Sequence, residues 1–205
     1  MDGYTFIGLE IKNASSYAFK GPSSGALSKY FHVSGCFIHD CPVFGSGRIT
    51  VVDSSNPVTL KQSVMFFEPG LSDVLETSGY TEISNCLITS SNMGQSNSIV
   101  YDAGNNATAS FSTFIDRGAA ATKSALRCSK VINCIVYTNA TDGIASDDQT
   151  YNLVSVTGNA FRNKADDALA ATGSNYVGTL SNLGFVDGTS IGSTISVAAN
   201  YNLQA

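Results

Sequence analysis

The sequence predicts an all-β chain wound into a single-stranded parallel β-helix, a solenoid of about eight coils. Three observations predict it. A short phrase recurs along the chain, written most plainly as VSGCFIHD, ISNCLITS and VINCIVYT. Copies of the phrase follow one another at intervals of 21 to 29 residues with no helical periodicity between them. Only 13% of the 205 residues are charged, whereas Ser, Thr, Asn and the 19 glycines are abundant, a balance suited to turns and uncharged surface.

Eight copies align as GLEIKN, GCFIHD, VMFFEP, NCLITS, STFIDR, NCIVYT, GNAFRN and NLGFVD. Each is expected to be a strand entered through a bend. The inward-facing anchors of the strands are, in order, Ile11, Ile38, Phe67, Ile88, Ile115, Val136, Phe161 and Phe185. The opening positions read Gly8, Gly35, Val64, Asn85, Ser112, Asn133, Gly158 and Asn182. Six of these eight are Gly or Asn, which tolerate a left-handed backbone, so a tight bend is expected there. Two residues before each anchor, and so on the same strand face, stand Leu9, Cys36, Met65, Cys86, Thr113, Cys134, Asn159 and Leu183. Before the bend a third apolar column runs through Phe6, Val33, Ile83, Val131, Val156 and Leu180, interrupted by Gln62 and Ser110. Alternation thus changes phase across the bend, as it must when both arms of a corner point inward.

Successive coils of such a stack lie about 4.8 Å apart, with like residues above like. Cysteine, a small polarizable hydrophobe, suits an interior column beside a bend. In this register Cys36, Cys86 and Cys134 belong to coils two, four and six. Alternate coils separate them by roughly 9.6 Å, beyond the span of a disulfide. Five cysteines form an odd set with no CxxC pair, which predicts buried free thiols in place of a zinc site or disulfide framework. Cys41 and Cys128 fall outside the column and are left unassigned.

The pattern resembles the right-handed parallel β-helix family, the architecture of pectate lyases, polygalacturonases and many phage tailspikes, in which Asn commonly occupies such a bend. The resemblance runs from about Tyr4 to Val186 and implies a fold without implying an activity, because unrelated activities use this scaffold. Polygalacturonases carry paired aspartates, a Gly-His-Gly and an Arg-Ile-Lys. Asp147 and Asp148 supply paired aspartates in SDDQT, but neither other motif is present, and His32 and His39 lie far upstream. Pectate lyases use an acidic calcium cluster and a basic proton abstractor. Asp142, Asp166 and Asp167 with Arg162 or Lys164 match those residue types without a diagnostic spacing. No GxSxG elbow occurs.

The position after each anchor reads Lys12, His39, Glu68, Thr89, Asp116, Tyr137, Arg162 and Val186, an expected outward polar stripe. Glu68 and Asp116 would lie two coils apart, roughly 9.6 Å, near the upper end of the carboxylate separation of inverting glycosidases. If the chain is an enzyme, Glu68, Asp116 and Arg162 are its candidate residues; the plainer reading is a solvated sheet face. Asp142 and Asp167 share the offset of Val136 and Phe161, and with Asp166 they form a candidate calcium cluster, though Asp-Gly is also ordinary turn chemistry. No other cofactor is expected. Tyrosines such as Tyr101, Tyr137, Tyr151 and Tyr176 can stack on sugars or anchor an interface.

The 11 basic and 16 acidic residues are scattered and leave a net charge of -5, so no phosphate-binding face and no nucleic-acid partner are expected. Neither an export signal nor an apolar run long enough to span a membrane is read. Residues 1–205 are expected to form one β-helix domain. No amphipathic helix precedes YTFIGLEI to cover the first coil, so the expectation is a fragment of a longer chain or a subunit capped by another.

Together these readings favour a non-enzymatic structural protein of a phage virion, a capsid decoration or tail-fibre or tailspike module assembled in the host cytoplasm. Its expected partners are other virion subunits, further copies of itself and a cell-surface polysaccharide. Two alternatives remain open: an extracellular polysaccharide lyase or hydrolase or carbohydrate-binding β-helix, and a bacterial surface adhesin.

Overall fold

Each turn of the chain carries one strand on either side of a corner, and the two strands join different sheets. In a computed structural model, residues 3–14, 17–19, 30–41, 43–45, 58–67, 73–77, 79–90, 98–102, 104, 106–116, 124–138, 142–155, 159–162 and 173–177 are described. Among them there are strands and turns and no helix. The strand before the corner belongs to a ten-stranded sheet in which Gly3–Ile7, Tyr30–Ser34, Val58–Lys61, Thr81–Ser84, Ala107–Ser110, Ser124–Ile132 and Asp142–Thr150 follow one another. The strand after it belongs to an eight-stranded sheet, ordered Glu10–Lys12, Phe37–Cys41, Val64–Phe67, Leu87–Ser90, Thr113–Asp116, Ile135–Thr138, Leu153–Ser155 and Tyr176–Val177. Tyr17–Phe19 and Val43–Gly45 form a small third sheet. All ladders are parallel, and strands stacked in sequence order make a β-solenoid.

The corners explain how two sheets share one turn. Gly8, Gly35, Gln62, Asn85, Phe111, Asn133 and Tyr151 all have φ between 48° and 65°. That left-handed step swings the chain from one sheet into the other without breaking the ladder. Gly8 N–H donates to Ser34 O at 3.0 Å, Asn85 N–H to Ser110 O at 3.3 Å and Asn133 N–H to Thr150 O at 3.1 Å. The sequence places four of these corners correctly: Gly8, Gly35, Asn85 and Asn133. Gln62 and Phe111 take the positions assigned to Val64 and Ser112, and the next corner is Tyr151. Gly158 and Asn182 lie outside the described residues.

In the second sheet the inward column runs Ile11, Ile38, Met65, Ile88, Phe114, Val136, Val154 and Val177. Three anchors therefore move. Phe67 sits two residues further along, still inward, opposite Cys41. Between Ile38 and Cys41 one extra residue is accommodated, with Asp40 at φ 53°, a bulge that restores Cys41 to the interior. Ile115 points outward, because Phe114 stacks on Ile88. Phe161 lies in the first sheet and pairs with Ile144. Phe185 is outside the described residues. The cause is uneven turn length: equivalent residues are 27, 26, 18 and 23 apart in successive turns where they hydrogen-bond.

Opposite this column the first sheet contributes Phe6, Val33, Leu60, Ile83, Ala109 and Val131. Leu60 and Ala109 occupy the places the sequence reading gave to Gln62 and Ser110, so this column is apolar throughout these turns. Both columns meet in one core that includes Val33, Ile38, Leu60, Met65, Ile83, Phe114 and Val136. Each such side chain contributes about 1.5–3 kcal/mol by leaving water.

Candidate functional site

The interior column just past the corner is where the cysteines sit. It reads Leu9, Cys36, Ser63, Cys86, Ser112, Cys134, Asn152 and Asn175, so serine or asparagine follows each cysteine; Met65, Thr113 and Asn159 are not in it. The left-handed step turns the next amide into the interior, away from the ladder carbonyls. A side-chain oxygen from the following turn meets it. Cys36 N–H donates to Ser63 Oγ at 3.1 Å, Cys86 N–H to Ser112 Oγ at 3.1 Å and Cys134 N–H to Asn152 Oδ1 at 2.9 Å. The acceptors are held in turn: Ser63 Oγ–H donates to Lys61 O, Ser112 Oγ–H to Ser110 O, and Asn152 Nδ2–H to Val131 O.

All five cysteines are free and buried, including Cys41 and Cys128, which the sequence left unassigned. Burial pushes the Cys86 thiol up to about 11 and the Cys134 thiol to about 12, against smaller opposing backbone hydrogen bonds. Burial also raises Cys41. These thiols are packing groups with the reactivity of thiolates suppressed at neutral pH.

Of the residues named for an enzyme, Asp116 and Arg162 are on strands of different sheets. Asp116 is fully buried and points inward, where Thr138 Oγ1 donates to its Oδ2 at 2.8 Å. The outward stripe is corrected accordingly: opposite Thr89 stands Ile115, not Asp116, and opposite Ile115 stands Tyr137. Arg162 is on a strand of the first sheet with Ala145 as its partner, so it belongs to a different sheet from Asp116. Glu68 lies outside the described residues. For the calcium candidates, Asp142 is buried beside Ser124 and Asn159 in the ladder, while Asp166 and Asp167 are outside the described residues. Among the described residues no group of three or more His, Cys, Asp or Glu is placed to hold a metal ion.

The outward faces of the two sheets differ. On the first, Thr5, His32, Thr59, Glu82, Thr108, Lys130 and Asp148 stand in one column. His32 Nδ1 is hydrogen-bonded to Thr59 Oγ1, Lys61 pairs with Glu82 at 2.9 Å and Lys130 with Asp148 at 2.9 Å. On the second, Phe66, Thr89, Ile115 and Tyr137 form one outward column and Phe37, Val64, Leu87, Thr113, Ile135 and Leu153 the other. Phe66 and Ile115 are buried within the single chain, and their apolar neighbours are half-buried around them. The sequence reading missed this face. The doublets Phe66-Phe67, Leu87-Ile88, Phe114-Ile115 and Ile135-Val136 were its signal, since a parallel strand covered on both sides loses polar alternation.

At the first turn Lys12 and His39 remain on the outside, as expected. His39 Nε2 faces Glu10 Oε1 at 3.0 Å and His39 Nδ1 faces Asp40 Oδ2 at 2.7 Å, while the ring stacks on Phe37 with centroids 4.3 Å apart. Both nitrogens donate together only in the imidazolium form. Hydrogen bonds from His39, then Lys12, hold the Glu10 carboxyl below its ordinary range. Beside this cluster the first described turn exposes apolar side chains: Tyr4 is 52%, Ile7 66% and Leu9 45% exposed.

Comparison with protein-family models, curated proteins and solved structures found no match. The class of protein is therefore defined by its architecture, a parallel β-solenoid with a thiol-lined corner, one charged face and one apolar face. No helix among the described residues is long and apolar enough to cross a membrane.

Proposed function

We propose that the chain is a non-enzymatic structural subunit of a phage virion, a capsid decoration or a tail-fibre or tailspike module, acting through subunit contacts and surface recognition. One observation carries the reading: the first described turn presents Tyr4, Ile7 and Leu9 to solvent beside strands that, among the described residues, are paired on one side only. An open ladder edge with apolar flanks is a template for another chain. The enzyme reading, which the resemblance to depolymerising spikes and lyases keeps open, gains no support from Asp116 and Arg162, since Asp116 is interior and Arg162 is on the other sheet.

Purified particles from the native source, analysed by mass spectrometry, test the proposal. Stoichiometric copy number in the particle is the expected result. Absence from particles, with secreted protein that shortens a polysaccharide, would replace it with the enzyme reading.

A further inference from the structure

Glu10–Lys12 pairs with Phe37–Cys41, and Gly3–Ile7 with Tyr30–Ser34; neither has a partner strand on its other side among the described residues. In a parallel ladder the N–H and C=O of one residue point to the same side, and successive residues alternate. Phe37 N–H donates to Leu9 O at 2.8 Å, so Leu9 and Ile11 direct their backbone groups to the second turn. Glu10 and Lys12 therefore direct theirs to the open side.

The strand on that open side reads Glu-Ile-Lys, which is complementary to itself when reversed. We propose that the chain self-associates through this edge, the Glu10–Lys12 strand pairing antiparallel with the same strand of a second copy about a two-fold axis at Ile11. Glu10 of one copy then faces Lys12 of the other in the hydrogen-bonded type of antiparallel pair, and each residue both donates its N–H and accepts at its C=O. The pair occurs twice across the axis, as an isologous interface requires. Both side chains are 52% exposed on the outer face, where opposite charges directly across from one another stabilise the pairing. In the single chain Lys12 Nζ lies 3.3 Å from Glu10 Oε1 along the same strand, a solvated contact that the cross-copy pairs replace. The net charge of -5 opposes association of copies in general, whereas this strand carries one charge of each sign. Half-buried Ile11 and exposed Leu9 supply apolar area next to the axis.

This inference deepens the assembly-subunit reading by naming one contact, and it is tested apart from it, because self-association is measured on the isolated chain and virion membership on the particle. Sedimentation velocity of the 205-residue chain over a concentration series is the experiment. A reversible dimer is expected. Glu10→Lys and Lys12→Glu each place like charges opposite and weaken it about tenfold or more, while the double exchange restores opposite pairs and returns it to near the original affinity. Lys12→Pro removes an N–H that faces the open side, so it abolishes the dimer while circular dichroism and melting temperature of the monomer stay near those of the parent. A chain that is monomeric at every concentration overturns the inference. So does a dimer indifferent to Lys12→Pro, or one that the double exchange does not rescue.

Discussion

The outer faces of the two sheets are built on the same pleat and stacked at the same spacing, yet one is addressed to water and the other is not. The first sheet presents Thr, Ser and cross-turn ion pairs such as Lys130–Asp148, an ordinary solvated surface. The second presents Phe37, Val64, Leu87, Ile135 and Leu153 around buried Phe66 and Ile115. A solenoid strand's alternation therefore reports only how many of its faces are dry. Where one face is wet the register can be read from sequence; where both are apolar it cannot.

A charge placed at Phe66 or Ile115, as Phe66→Asp or Ile115→Lys, should cost about 3–5 kcal/mol in denaturant unfolding, because it is buried without a partner. Thr108→Lys on the first sheet, between Glu82 and Lys130, should stay within about 0.5 kcal/mol. Equal costs on the two faces would abolish the distinction.

The corner column belongs to both sheets and should respond to pH. A thiol that folds neutral with its pKa raised from 9.0 stabilises the fold fully below about pH 9, and that contribution is lost as pH climbs toward 11 for Cys86 and 12 for Cys134. Cys86 alone accounts for up to about 3 kcal/mol of that loss. Cys86→Val should flatten the alkaline limb of a stability-versus-pH curve; an unchanged limb would place the loss elsewhere.

A smaller effect is expected at the acceptors of the same column. Ser112→Ala leaves the buried Cys86 N–H without its oxygen and should cost about 1–3 kcal/mol, read by thermal melting. Least of all, Lys130→Ala on the solvated face should cost less than about 1 kcal/mol and should matter less as salt is raised, since its partner Asp148 is half exposed.

Much of the architecture was legible because the corner imposes chemistry. Gly8, Gly35, Asn85 and Asn133 adopt positive φ at low cost, and Cys36, Cys86 and Cys134 fill the narrow column behind alternate corners. Between them the signal fails for physical reasons. Gln62, Phe111 and Tyr151 take the left-handed step without being residues that favour it, so nothing in their type marks a corner. Ser63, Ser112 and Asn152 look like surface residues and are in fact the buried acceptors of corner amides. One residue of slip in the register moved Asp116 from the expected outward stripe to the core. The pairing of His39 with Glu10 and Asp40 depends on the bulge at Asp40, which sequence does not announce.

The contact proposed between this chain and its neighbours is the Glu10–Lys12 edge of the first turn. Hydrogen exchange of the Glu10 and Lys12 amides, compared between the free chain at high dilution and the assembled particle, tests it most directly. Fast exchange when free and strong protection when assembled are expected, with the amides of the Lys61, Glu82 and Lys130 face unchanged. Unaltered exchange at Glu10 and Lys12, with new protection confined to that charged face, would contradict it.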